Sequence, residues 1–150
     1  MNTCIFCQIV QGTMPCFKVW ESEDYLAFLS IFPNTTGVTV VIPKVHYESY
    51  VFDVPEDVLN GLVLAARTVG KLLDRKLNVA RTALVFEGMG VNHVHAKLFP
   101  LHGTQKTDWA PTPQEERPFF HTYPGYLATY DGQLASPEDL DKIAKKITQE

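Results

Sequence analysis

Little in this chain points to a membrane, an oxidising compartment or a nucleic acid. No apolar run reaches the roughly 20 residues needed to cross a bilayer. The start, "MNTCIFCQIV", has neither the basic residues nor the long apolar core of a secretory signal. Cysteines number three, an odd count, and two of them are separated by only two residues. That makes a poor disulfide framework and suits a reducing compartment. Cations are not in excess: 13 Lys and Arg stand against 17 Asp and Glu, for a formal net charge of −4. The basic footprint of a general nucleic-acid binder is therefore missing. Repeats, low-complexity tracts and obvious linkers are also absent. The expectation is a cytoplasmic protein with no membrane or nucleic-acid partner, its residues 1–150 forming one domain. A chain of this length buries roughly 70% of its unfolded surface.

What is present alternates and turns in recognisable ways. "FKVWES" and "YLAFLS", split by the polar Glu23 and Asp24, read as two strands of a hairpin. "PNTTG", Pro33 to Gly37, reads as a turn, and the β-branched "VTVVIP" after it as a strand ending at Pro43. "VPEDVLNGLVLAARTVGKLLDRKL" opens with Pro55 and acidic residues. Val58, Leu62, Ala65 or Ala66, Val69 and Leu73 then recur at three- and four-residue steps, which predicts the long amphipathic helix. "VARTALVFEG" and "VNHVHAKLF" read as two more strands around a glycine-rich turn. "SPEDLDKIAKKI" predicts a short last helix with Ser136 as N-cap and Pro137 at its first position. Between Pro100 and Ser136, Trp109, Phe119, Phe120, Tyr123, Tyr126 and Tyr130 are expected to pack an aperiodic tract down. Strands before and after one long helix favour an α+β fold with an antiparallel sheet.

The stretch "GMGVNHVHAKLFP" concentrates the chemistry. His93, His95 and Lys97 occupy every second position, with Val94, Ala96 and Leu98 between them. In a strand those two sets face opposite sides. A plain half-solvated strand with a basic outer face would look the same. The preceding Gly88 and Gly90 would let backbone N–H groups approach a ligand. Far away, Cys4-x-x-Cys7 fits a redox pair, a metal clamp or ordinary packing. His46, just past a predicted strand, fits a surface histidine or a functional one. Cys4, Cys7, His46 and one histidine of the 93–95 pair would together complete a tetrahedral zinc site.

"CIFCQIVQGTMPCFKVWESEDYLAFLSIFPNTTGVTVVIPKVH", followed at the right separation by "HVHAK", resembles the histidine triad (HIT) superfamily over residues 1–103. Residues 104–150, an aromatic and proline-rich extension with a terminal helix, are not matched. The resemblance implies a HIT-like α+β fold, usually a homodimer, and nucleotidyl-hydrolase or nucleotidyl-transferase chemistry. It implies His95, the middle histidine of the motif, as a nucleophile that becomes a nucleotidyl-histidine. Relatives with zinc, uridylyltransferases among them, imply Cys4, Cys7, His46 and His93 as the ligands of a structural zinc. Phe6, Ile9, Leu29 and Ile31 are then expected to line a base pocket, with Gly88 and Gly90 at the nucleotide.

Three positions depart from the family. Lys97 replaces the third histidine and suits holding a phosphate oxygen better than shuttling a proton. Ser30 stands where many relatives carry an aspartate for the ribose hydroxyls, and a hydroxyl accepts hydrogen bonds more weakly than a carboxylate. "FEGMG" replaces a longer segment with an asparagine and a polar residue, and its Glu87 would repel a phosphate unless turned away or paired. Cys16 and His102 read as structural, and His121 as packing. The leading expectation is an enzyme acting through His95. The alternative is a non-catalytic HIT-fold protein that binds nucleotides or regulates. A redox or metal-carrier role for the cysteine pair comes third.

Overall fold

The computed structural model describes residues 4–108 and 134–149. Its elements in chain order are α1 (Ile5–Val10), β1 (Lys18–Glu21), β2 (Tyr25–Leu29), β3 (Thr39–Pro43), α2 (Glu56–Leu77), β4 (Thr82–Val85), β5 (Ala96–Pro100) and α3 (Pro137–Thr148). A single 3-10 turn, Val51–Asp53, precedes α2. The five strands form one sheet in the order β1-β2-β3-β5-β4, with every neighbouring pair antiparallel. The fold is α+β, as the pattern of strands around one long helix predicts. The aromatic residues from Trp109 to Tyr130 lie outside the described residues. Among the described residues no helix is long and apolar enough to cross a membrane.

The long helix forms where its periodicity predicts. Glu56 and Asp57 stand in its first turn and Arg75 and Lys76 in its last, each complementing the helix dipole. It ends at Asn78, whose φ of 54° is the left-handed conformation that terminates helices. Leu62, Ala65, Ala66, Val69, Leu73 and Leu77 are buried along one stripe. Gly61 brings that stripe close to the sheet, because a Cβ there would coincide with the Tyr25 hydroxyl. The Tyr25 hydroxyl itself donates to the Val58 carbonyl. In α3 the Ser136 hydroxyl accepts the Asp139 N–H, as predicted for an N-cap.

The sheet has two unlike faces. One packs against α2 and α3 through Ala27, Leu29, Val41, Ala96 and Leu98. The other carries Leu26, Phe28, Val40 and Ile42, and on it lies the six-residue helix α1 through Phe6. Both sides of β3 are consequently buried along its whole length.

One boundary differs from the sequence reading. The strand predicted over "VNHVHAKLF" begins only at Ala96. His93 and His95 lie in the irregular segment that leads into it. They are also buried, His93 completely, so the face they occupy is not a solvated basic surface. The physical reason is α1, whose Phe6 ring stands edge-on to both imidazoles.

Candidate active site and metal centre

The structure brings Cys4, Cys7, His46 and His93 together, with one potential ligand atom from each lying within 4.8 Å of all the others. Helix α1 supplies the sulfurs from its N-cap and first turn. His46 comes from the segment after β3 and His93 from the segment before β5. The Cys7 sulfur is 3.4 Å from His46 Nδ1 and 3.7 Å from His93 Nδ1, and the Cys4 sulfur is 3.5 Å from His93 Nδ1. The other ring nitrogen of His93, Nε2, donates to the Pro43 carbonyl at 2.9 Å. That bond fixes the tautomer and leaves the Nδ1 lone pair toward the sulfurs. Burial holds the His93 imidazole below the ordinary histidine range, against the opposing hydrogen bond to Pro43.

His95 is held differently. Its Nδ1 donates to the His93 carbonyl at 2.7 Å, and its ring lies edge-on to Phe6 with centroids 5.5 Å apart. Every buried side-chain nitrogen and oxygen among the described residues has a partner, and for His95 that partner is on Nδ1. Nε2 therefore keeps access to the surface, and it is not among the clustered ligand atoms. Burial again sets the protonation, pushing this imidazole below its ordinary range, with the Lys97 charge acting the same way. The bond to the His93 carbonyl and the Glu87 charge act in the opposite sense. A neutral ring with one nitrogen pinned and the other presented is a competent nucleophile.

Lys97 continues the same face of β5, opposite Val40 of β3 and Val85 of β4. Its ammonium lies 5.7 Å from the centroid of the Phe99 ring. Phe6 is at the site, and Ile9 packs beside it at the edge of the small cluster under α1. The other expected pocket residues are placed less directly. Leu29 is buried in the core on the α2 side of the sheet, the face away from His95. Ser30 uses its hydroxyl to accept the Phe32 N–H within its own turn. Ile31 is exposed.

Gly88 and Gly90 both have positive φ, 71° and 87°. A Cβ at Gly88 would stand 2.8 Å from the Ser49 carbonyl, whereas one at Gly90 would meet nothing. Gly88 thus answers to a close backbone approach within the protein. Three groups at the site escaped the sequence reading: Phe28, whose ring meets Phe6, and the Pro43 and Tyr47 carbonyls. The alternation of β2 carries a signal for Phe28. Backbone acceptors leave no trace in side-chain identity.

The HIT domain pattern matches residues 11–104. The chain belongs to the HIT family. An uncharacterised HIT-like protein of Methanocaldococcus jannaschii is 37% identical over 104 residues, covering 66% of this chain and 79% of the relative. The adenosine 5'-monophosphoramidase of Schizosaccharomyces pombe is 29% identical over 146 residues, covering 97% of this chain and 96% of the relative. Among solved structures, a zinc-bound histidine triad family protein from Mycobacterium smegmatis superposes with a TM-score of 0.70 at 21% identity. That alignment covers 98% of this chain and 94% of the other. It bears on the fold, and the sheet and helices described above are those of the HIT fold.

Proposed function

We propose that this HIT protein hydrolyses or transfers nucleotidyl groups through a covalent intermediate on His95, with zinc held by Cys4, Cys7, His46 and His93. The observation that carries the reading is the contrast between the two imidazoles. His93 turns a lone pair into the cysteine cluster, while His95 keeps Nε2 outward and unligated.

In this reading Nε2 of His95 attacks the α-phosphorus of a nucleoside phosphate. A P–N bond forms as the bond to the leaving group breaks, and the electron pair departs with that group. Water then attacks phosphorus: its oxygen bonds there, the P–N electron pair returns to Nε2, and the released proton passes to solvent, leaving the imidazole neutral. The bond from Nδ1 to the His93 carbonyl holds the tautomer throughout. Lys97 supports phosphate oxygens as a fixed charge. Phe6 covers the ring from one side and limits the water around it.

The donor set fits zinc. Bond lengths of about 2.3 Å to sulfur and 2.0–2.1 Å to nitrogen put tetrahedral sulfur–nitrogen edges near ~3.6 Å. The observed separations of 3.4, 3.5 and 3.7 Å match that edge. Bound there, the metal would serve a structural role, tying α1 to the histidine segment. The Mycobacterium smegmatis protein is described as zinc-bound, and the Schizosaccharomyces pombe relative as an adenosine 5'-monophosphoramidase. Both descriptions support the reading. By the same resemblance we propose a cytoplasmic homodimer.

The test is turnover of adenylate and guanylate phosphoramidates and dinucleoside polyphosphates by the parent and by His95→Asn. A loss of at least ~10³-fold in kcat is expected for the variant. Nucleotide binding with no His95-dependent turnover would instead favour a binding protein. The replacement of the third histidine by Lys97 and the local turn bond that the Ser30 hydroxyl accepts from the Phe32 N–H are the observations on that side.

A further inference from the structure

The segment carrying His46 and the segment carrying His93 and His95 meet in an unusual way. β3 and β5 pair as Thr39–Leu98, Val40–Lys97 and Val41–Ala96. Continued without a break, that register would set Val94 against Pro43. Instead the Val94 N–H reaches the Tyr47 carbonyl at 2.9 Å, four residues further along. The chain therefore spends four more residues between the two pairings than that register allows, and His46 reaches Cys7 from among them.

Pairing in the new register is brief and needs help. One step on, Ser49 stands against Asn92. A regular antiparallel ladder would offer Ser49 a backbone carbonyl there. The chain is turned too sharply at Asn92 to do so, because the His93 N–H closes a tight turn onto the Val91 carbonyl at 2.8 Å. The side-chain amide oxygen of Asn92 takes that place and accepts the Ser49 N–H at 2.9 Å. Gly88 completes the contact from the other end, since its missing Cβ lets the chain pass against the Ser49 carbonyl.

We propose that Asn92 is a positioning residue, whose side chain completes a two-rung ladder between the His46 and His93 segments and so sets where His93 and His95 stand. His95 takes its ring orientation from the His93 carbonyl, and the next residue, Val94, is the other rung. A slack ladder therefore displaces the metal ligand and the nucleophile together. Asn92 is exposed, so water can replace it as an acceptor for Ser49. The fold survives its loss, while the alignment does not.

Asn92→Ala removes the acceptor, and Asn92→Asp keeps an oxygen in the same place. Three readouts apply to both variants and the parent. Amide exchange at Val94 is expected to quicken about fivefold in Asn92→Ala, the ratio that one modest hydrogen bond is worth, and to stay within about twofold in Asn92→Asp. Zinc passed to a competing chelator is expected to leave Asn92→Ala about fivefold faster, with Asn92→Asp again close to the parent. On a phosphoramidate, kcat is expected to fall about tenfold with KM nearly unchanged, as for misalignment of a reacting group. The last two readouts rest on the function proposed above, and the first does not. Protection of Val94 unchanged in Asn92→Ala, or loss of protection equal in Asn92→Asp, overturns the inference. A parent that holds no zinc and turns nothing over would defeat the proposed function, with Val94 exchange still deciding the role of Asn92.

Discussion

The two faces of the sheet are built for different tasks from neighbouring residues of the same strands. Leu98 and Ala96 point into the α2 side, among Leu62, Val69 and Leu73, each almost fully withdrawn from water. Lys97 and, just before the strand, His95 and His93 point to the α1 side, where the cover is a six-residue helix. One face is a continuous apolar layer that stores stability. The other is thin, holds two buried imidazoles, and is closed by a helix with no side-chain cap and no acidic residue in its first turn. A helix that short is not stable on its own. Zinc on Cys4, Cys7, His46 and His93, as proposed, would supply what the helix's sequence does not.

Substitutions can separate the two faces. Leu73→Ala, on the α2 side, is expected to cost about 2–5 kcal/mol by cavity formation while leaving kcat per folded molecule unchanged. Denaturant unfolding alongside initial rates checks this, and a fall in kcat would mean that the faces are not independent. Stripping the proposed zinc with a chelator would act on the α1 side. A ligand held at 100 times its dissociation constant stabilises by about 2.7 kcal/mol, so thermal unfolding should drop on chelation and recover with zinc. His93→Ala should show the lower value with or without added metal.

Lys97→Ala tests the same face more gently. Loss of one charge-assisted phosphate contact is expected to weaken binding of a nucleoside monophosphate roughly tenfold, with no change in unfolding. Binding as tight as the parent's by calorimetry would remove Lys97 from the phosphate site. The smallest effect is at the sheet edge. Hydrogen bonds from Lys18 and Lys44 lower the Glu21 carboxyl from its ordinary 4.5 to about 2. A depressed carboxylate contributes stability above its unfolded value and loses it as pH falls through the folded one. Glu21→Gln should therefore flatten acid unfolding slightly between pH 4.5 and about 2. Because the pair is open to solvent, the difference should be slight.

Much of the fold was legible because the patterns are local. The stripe from Leu62 to Leu73, the Ser136 cap and the alternation in "YLAFLS" each declare themselves within a few residues. Helix α1 did not, since "IFCQIV" is too short for a period and carries no cap. Without α1 the histidines have a solvated alternative, which the Phe6 ring of α1 removes. The candidate metal ligands are visible as residue types, and the resemblance implies the set, yet only tertiary contact brings Cys4 within reach of His93, 89 residues away. The residues expected to line a base pocket do not gather at one place. Phe6 is at the site, but Leu29 follows the alternation of its own strand to the far face. Ser30 satisfies its own turn. The role proposed for Asn92 depends on a shift in register that no sequence pattern marks.

The central claim is that His95, and not a metal ligand, carries the nucleotidyl group. Intact-mass spectrometry of rapidly quenched mixtures with a phosphoramidate or dinucleoside polyphosphate tests it most directly. One added nucleotidyl mass on the parent, mapped to His95 and absent from His95→Asn, is the expected result. Turnover that proceeds with no adduct, or an adduct that persists in His95→Asn, would contradict it.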